Sequence, residues 1–446
     1  MKIAVLGGGG FRVPMVYGAL LSHASRLGID DVALYDIDAS RIASIDQVLR
    51  GLERQRGVNL PFAAATDLDA ALDGADFVFC AIRVGGLDGR VVDERVAVDA
   101  GVIGKETVGP GGIGFALRTI PVMLDLAERV AVRAPDAWFV NFTNPAGLVT
   151  EAIQEVLGGR AVGICDSPTA LCRRVASALG RPASSLRFDY FGLNHLGWLR
   201  GVYAGDDDLL PGLLADDEQL QSFEEGQLFG GEWLRALGMI PNEYLYFYYY
   251  ASDAVRVLRS GVELMAEFLL RQQRPFYEAH WVSPEAALAG WLDTRREREQ
   301  MYFAEARAAA GIAVQQEWDD IGGYEGEALA VVDAVVRNES RMLILDVANR
   351  SSLPFLDPAA VVEVPSFVGS TGVVPTAVGE VPGHARALME AIKAVDRLTI
   401  RAARERSLDL AVQAIALHPL VPSVKIARRI VAGYASGHPE LAEWSR

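Results

Sequence analysis

Apolar positions near the start of the chain fall in short runs, separated by stretches with helical spacing. Lys2–Leu6 (KIAVL) is β-rich, four glycines occupy positions 7–10, and Val13–Leu21 repeats apolar residues at helical intervals. Asp31–Asp36, Asp76–Ala81, Ala137–Phe142 and Ala161–Cys165 predict four further strands. Arg41–Leu52, Ala116–Val132 and Gly147–Leu157 predict helices between them. Strands alternating with helices make parallel βαβ units. The fold expected is therefore α/β, with a Rossmann-like doubly wound parallel sheet over residues 1–165.

The remainder, residues 166–446, reads as an α+β part. Leu186–Gly192, Trp198–Tyr203, Arg341–Val347, Val361–Val368 and Gly372–Val378 predict strands. Ser283–Ala310 and a region from about His384 predict helices, and the acidic stretch Asp206–Glu225 predicts a surface excursion. A cleft between the two parts is the expected place for a site.

Composition limits the partners. In 446 residues, 42 Lys and Arg face 58 Asp and Glu, a formal net charge of −16, so a nucleic-acid partner is not expected. A small anion remains compatible, because one arginine or helix N-terminus suffices locally. No apolar run approaches the ~18 residues of a membrane span. The apolar run after Met1-Lys2 is too short for a signal peptide, so a cytoplasmic location is expected. Cys80, Cys165 and Cys172, an odd and low count, argue against a disulfide framework.

Several segments carry candidate chemistry. The turn Gly7-Gly8-Gly9-Gly10 fits the first two glycines of a dinucleotide fingerprint, while its third position falls on Arg12. The same turn could exist without a ligand. Asp36 stands where an acidic residue would meet ribose hydroxyls, or where an aspartate merely closes a strand. Asn141 and Asn144 end the fourth strand at the ligand edge of a parallel sheet, and Asn144-Pro145 also suits an ordinary turn. Gly101–Gly114, with Lys105-Glu106-Thr107, is either a loop over the site or a flexible surface loop. Cys165 and His195 are competent ligands for a divalent metal, but on their own read better as an inert buried thiol and a satisfied histidine. Cys80 and Cys172 read as core packing. Tyr244–Tyr250 holds five tyrosines in seven residues, either an aromatic wall or the source of a base beside a cation.

Taken together, KIAVLGGGG, VALYDID, IRVGGLDGRVVDE, GVIGKETVGPGGIGFALR, VNFTNPAG, GICDSP, YFGLNHLGW, IPNEYLYFYYY and AIALHPLVPS resemble the family 4 glycoside hydrolases, nearly end to end. These are NAD- and metal-dependent phosphoglycosidases. The resemblance implies a 6-phospho-glucosidase, most like the 6-phospho-β-glucosidases, with a lactate/malate dehydrogenase-like C-terminal part. It implies a redox-elimination route: oxidation at C3 by NAD, loss of the C2 proton, departure of the C1 group, addition of water and return of hydride. By the same resemblance Cys165 and His195 match ligands of Mn²⁺ or another divalent metal. Tyr244 matches the base and Asp166 the group protonating the leaving oxygen. Gly7–Gly10 and Asp36 match the NAD site. Arg90 matches the arginine on the sugar phosphate, and Asn144, Glu106 and Asn194 match further substrate contacts. The substrate implied is a phosphorylated disaccharide or aryl-glucoside 6-phosphate, and the assembly a homodimer or homotetramer. Two features depart from the pattern. Asp166 suits the 6-phospho-α members better, and Gly10-Phe11 replaces a serine common near the cofactor phosphates. The competing readings are an NAD-dependent 2-hydroxyacid dehydrogenase and a non-catalytic NAD sensor.

Overall fold

The computed structural model describes residues 1–301, 304–312 and 323–445. Its strands are β1 (Lys2–Leu6), β2 (Asp31–Tyr35), β3 (Phe62–Ala65), β4 (Phe77–Cys80), β5 (Trp138–Asn141), β6 (Ala161–Gly163), β7 (Arg187–Leu193), β8 (Leu196–Ala204), β9 (Asp207–Asp208), β10 (Ile240–Pro241), β11 (Arg341–Ala348), β12 (Val361–Gly369) and β13 (Gly372–Pro375). Among the described residues all of them join one sheet, with the path β10-β8-β7-β12-β11-β6-β5-β4-β1-β2-β3.

The first six strands pair in parallel, in the order 3-2-1-4-5-6 of a doubly wound dinucleotide-binding sheet. β4 and β5 are buried at every position, as strands covered by helices on both faces must be. β3 lies outside the strands expected from sequence. It is the edge strand, its sequence FAAA is poor in β-branched residues, and its two central positions are exposed. The remaining strands extend the same sheet in antiparallel fashion. Asp346 of β11 pairs with Gly163 of β6, and Glu363 of β12 pairs with Gly192 of β7.

The helices run longer than their apolar cores indicate. Val13–Leu27 continues past Leu21 until Gly28 turns left-handed at φ 67°. Ala39–Arg56 starts where the Asp38 carboxylate accepts hydrogen bonds from the Ser40 and Arg41 amides, and stops at Gly57. Pro110–Arg133 begins inside the glycine-rich stretch, so Pro110–Gly114 is a first helical turn. Gly114 is needed there, since a Cβ would lie 2.8 Å from the Tyr434 ring.

Two expectations need correction. Asp206–Glu225 is only in part a surface excursion: most of its polar positions are exposed, but it holds the helices Leu210–Ala215 and Asp217–Leu220, and Leu210, Leu213, Leu220 and Phe223 are buried. Asp216 caps the second of these helices, accepting from the Glu218 and Gln219 amides, while the leucines pack inward. The predicted strand Gly372–Val378 stops at Pro375. Helix Ser283–Ala310 is found as Pro284–Met301 and Ala304–Ala310, with Tyr302 and Phe303 outside the described residues. No helix among the described residues is long and apolar enough to cross a membrane.

Candidate active site

The C-terminal ends of β1, β4, β5 and β6 open on one side, and the β7–β8 hairpin faces them. At β1 the chain turns through Gly7 at φ 88°, where a Cβ would lie 2.6 Å from the Ala81 carbonyl oxygen. Asp36, just past β2, accepts a hydrogen bond from the Gly9 amide at 2.9 Å and so braces the turn. Tyr277 donates to the Gly9 carbonyl at 2.9 Å, and Trp291 donates to the Phe11 carbonyl at 2.9 Å. The turn thus lies at the N-terminus of Val13–Leu27 and beside the point where strand order reverses, where pyrophosphates are bound. Phe11 is buried against Phe276 and Trp291.

After β5, Asn141 is a structural residue. Its amide donates to the Thr143 and Ala146 carbonyls and to Thr150, and its own oxygen accepts from the Thr143 amide. This leaves Asn144, half-buried and joined to Pro145 by a cis peptide, as the polar side chain of that turn nearest solvent.

Cys165 follows β6, and His195 sits in the tight connection between β7 and β8. The structure brings them together: Sγ and Nε2 are 3.3 Å apart and both residues are buried. His195 adopts φ 59°, uncommon outside glycine. Its Nδ1 is 2.6 Å from Thr107 Oγ1, which leaves Nε2 turned toward the thiol. Burial drives the imidazole down to about 3, so the ring is neutral near pH 7. Burial, Glu363 and Asp166 push the Cys165 thiol well up. A neutral imidazole beside a thiol that ionises only next to a cation is a fitting donor pair for a divalent metal. Among the described residues no group of three or more His, Cys, Asp or Glu could hold such an ion.

Tyr244 lies in the short 3-10 helix Glu243–Leu245, its ring stacked on His195 with centroids 3.7 Å apart. Asp166 stands at the N-cap position of the helix Ser167–Ala178, without a capping hydrogen bond to its side chain. Asn194 donates to Glu363 Oε1 at 3.2 Å, so its amide is committed to holding the hairpin.

The glycine-rich stretch is a buried strap rather than a flexible loop. It presents Thr107 to His195, and Glu106 to Arg83 and Arg90. Burial alone would raise the Glu106 carboxyl, but Arg83 and Arg90 outweigh it and hold it at about 2. Arg90 is paired with Glu94 at 2.8 Å as well as Glu106 at 2.8 Å. Arg83 keeps Nη1 buried without a hydrogen-bond partner. Arg298 is driven down to about 9 by burial and by the charges of Arg12, Arg90 and Arg83. Arg83, Arg90, Arg12 and Arg298 thus act on one another as like charges gathered around Glu106. Reading the sequence singled out only Arg90. Arg12 reads from the sequence only as the residue at the third fingerprint position, and Arg298 belongs to a helix far along the chain.

Residues 2–181 match the profile described as family 4 glycosyl hydrolase, and residues 190–421 match that of the family 4 glycosyl hydrolase C-terminal domain. The chain belongs to glycosyl hydrolase family 4. Among curated relatives of this family 4 enzyme is the maltose-6'-phosphate glucosidase of Bacillus subtilis, 29% identical over 96% of this chain and 94% of the relative. The solved 6-phospho-beta glucosidase of Thermotoga maritima, with manganese, NAD⁺ and glucose-6-phosphate, superposes with a TM-score of 0.82 at 26% identity over 99% of each chain. A 6-phospho-alpha-glucosidase from gut microorganisms, with NAD and Mn²⁺, gives 0.81 at 25% identity over 98% of this chain and 97% of that one. The malate dehydrogenase of Plasmodium falciparum, at 13% identity and a TM-score of 0.50 over 92% of this chain and 99% of its own, shares the fold. The relatives divide between α- and β-specific enzymes at similar identity.

Proposed function

We propose that this family 4 enzyme hydrolyses 6-phospho-β-glucosides to glucose 6-phosphate and an aglycone by oxidation at C3, elimination and addition of water. The observation that carries the reading is the buried Cys165–His195 pair, 3.3 Å between Sγ and Nε2, with the Tyr244 ring against the imidazole. Gly7–Gly10 and Asp36 would hold NAD, and Cys165 and His195 would hold the manganese ion. When bound, the two groups supply hydride acceptance at C3 and Lewis-acid polarisation of the neighbouring sugar oxygens.

The chain's own residues do the rest. The Tyr244 oxygen takes the C2 proton; a phenol does so near pH 7 only beside positive charge, and Arg90 is a nearby cation. Asp166 protonates the leaving oxygen. Arg83, Arg90, Arg12 and Arg298 receive the sugar phosphate, whose negative charge offsets the repulsion among them. Glu106 holds Arg83 and Arg90 in register, and Asn144 meets sugar hydroxyls.

Proton loss at C2 precedes departure at C1, so this chemistry does not itself select an anomer. The Ile240–Tyr250 aromatic segment favours β. Asp166 beside Cys165, with the 29% identical maltose-6'-phosphate glucosidase, favours 6-phospho-α-glucosides as the second reading. The deciding assay uses p-nitrophenyl 6-phospho-α- and β-glucosides, each with and without NAD⁺, Mn²⁺ and thiol reductant. Cleavage of the β-glucoside that requires both additions is expected. Cleavage of the α-glucoside alone reverses the anomer, and cleavage without NAD⁺ overturns the mechanism.

A further inference from the structure

The two groups assigned to proton transfer stand on separate loops. Asp166 precedes Ser167–Ala178, and Tyr244 lies in Glu243–Leu245 after β10. On the hairpin side the Tyr244 loop is tied by the Asn242 amide, which donates to the Gly197 carbonyl of β8 at 2.9 Å. On the cysteine side it is tied by a side chain: Ser167 Oγ donates to Glu243 Oε1 at 2.6 Å, with both residues buried. Ser167 adjoins Asp166 and Glu243 adjoins Tyr244, so this one bond spans the acid loop and the base loop.

Glu243 is an expensive residue to bury for a merely filling role. Its second oxygen has no hydrogen-bond partner, and the nearest cation, Arg174, stands 3.8 Å off while committed to Glu225 through Nε at 3.0 Å. The bond from Ser167 is what the carboxyl does. We propose that Glu243 is a positioning residue, which through Ser167 sets the separation of Tyr244 from the Cys165–Asp166 loop. This inference rests on reading Tyr244 as the base.

The test uses the enzyme loaded with NAD⁺ and Mn²⁺, and p-nitrophenyl 6-phosphoglucoside with hydrogen or deuterium at C2. A displacement of about 1 Å can cost ~10²-fold, so Glu243→Ala should lower kcat by about that factor with little change in KM. It should also enlarge the isotope effect at C2, because proton removal becomes limiting. Glu243→Gln still accepts from Ser167 and should recover most of the lost kcat. Ser167→Ala should match Glu243→Ala, and the double variant should be no worse than either. Unchanged kcat in Glu243→Ala or Ser167→Ala overturns the proposal, as does an equal loss in the Ala and Gln variants with no change in the isotope effect. Wild type and Tyr244→Phe run in parallel separate the two levels. Wild-type turnover without solvent deuterium entering C2 defeats the base itself, whereas normal exchange in wild type with an insensitive Glu243 defeats only the positioning.

Discussion

The imidazole of His195 lies flat against the phenol ring of Tyr244, centroids 3.7 Å apart and planes 12° from parallel. The stack joins a candidate metal ligand on the β7–β8 connection to a candidate base 49 residues further on (244 − 195). Nδ1 of the same imidazole meets Thr107, so the ring cannot rotate freely and its Nε2 edge stays on Cys165. Fixing a ligand through its second nitrogen in this way is how ligand orientation is commonly enforced. The pair that would hold an ion is thereby placed beside the residue proposed as base.

Metal binding should fail when either member of the pair changes. Loss of supporting partners alone typically costs ~10–100-fold in metal affinity, so Cys165→Ser and His195→Ala should cost at least that. Thr107→Val, which removes the partner of Nδ1, should fall within that range. Free Mn²⁺ measured by its paramagnetic resonance signal during titration reads this without reference to turnover. Wild-type affinity in Cys165→Ser would remove the cysteine from the site.

Much of the frame is legible in the sequence, because strand runs and glycine turns are local signals. β1, β2, β4, β5 and β6 each appear as an apolar run, and Asp36 as the residue that ends one. β3 is not legible, since an alanine-rich edge strand buries too little to show alternation. The site residues are legible only through the family resemblance. Cys165 and His195 are 30 residues apart, a spacing without chemical meaning until the β7–β8 hairpin folds back onto β6. Arg298 and Glu363 escape altogether, as their roles arise where distant helices and strands meet.

The arginine centre should govern the phosphate requirement. Arg90 already has two carboxylate partners, whereas Arg298 is held down at about 9 by burial and by the like charges around it. A phosphate relieves that repulsion. Arg298→Gln should raise KM for phosphorylated substrate more than it changes kcat, with NAD⁺ affinity measured separately by fluorescence quenching. Equal losses toward phosphorylated and unphosphorylated glucosides would show that this centre does not receive the phosphate.

Asp346 predicts a pH-dependent stability. It is fully buried, its carboxylate oxygens lack hydrogen-bond partners, and it lies directly across from Glu363 in the β11–β12 register. Burial, with the charge of Asp396, raises it from 3.8 to about 7 against the pull of Lys393. A raised carboxyl stabilises the fold while protonated, fully below the unfolded value of 3.8, and that contribution is lost as pH rises through about 7. Asp346→Asn keeps the neutral shape at every pH. Its melting temperature relative to wild type should therefore be higher at pH 8 than at pH 5. A difference independent of pH would mean that Asp346 is not protonated in the fold.

The decisive residue is Tyr244. If its oxygen removes the C2 proton, Tyr244→Phe keeps the ring on His195 and loses only the hydroxyl. General-base contributions are typically ~10²–10⁴-fold, so kcat should fall by about that much with melting temperature retained. Wild-type turnover in heavy water should place deuterium at C2 of the released sugar phosphate, with isomerisation to the ketose excluded by product analysis. Reduced cofactor should not accumulate, since hydride taken at C3 is returned in the same cycle. A glycosidase working by direct displacement reacts only at C1 and leaves C2 untouched. An aromatic wall residue would tolerate phenylalanine. Product with hydrogen wholly retained at C2, or a Tyr244→Phe enzyme as fast as wild type, would end the assignment of this tyrosine as base.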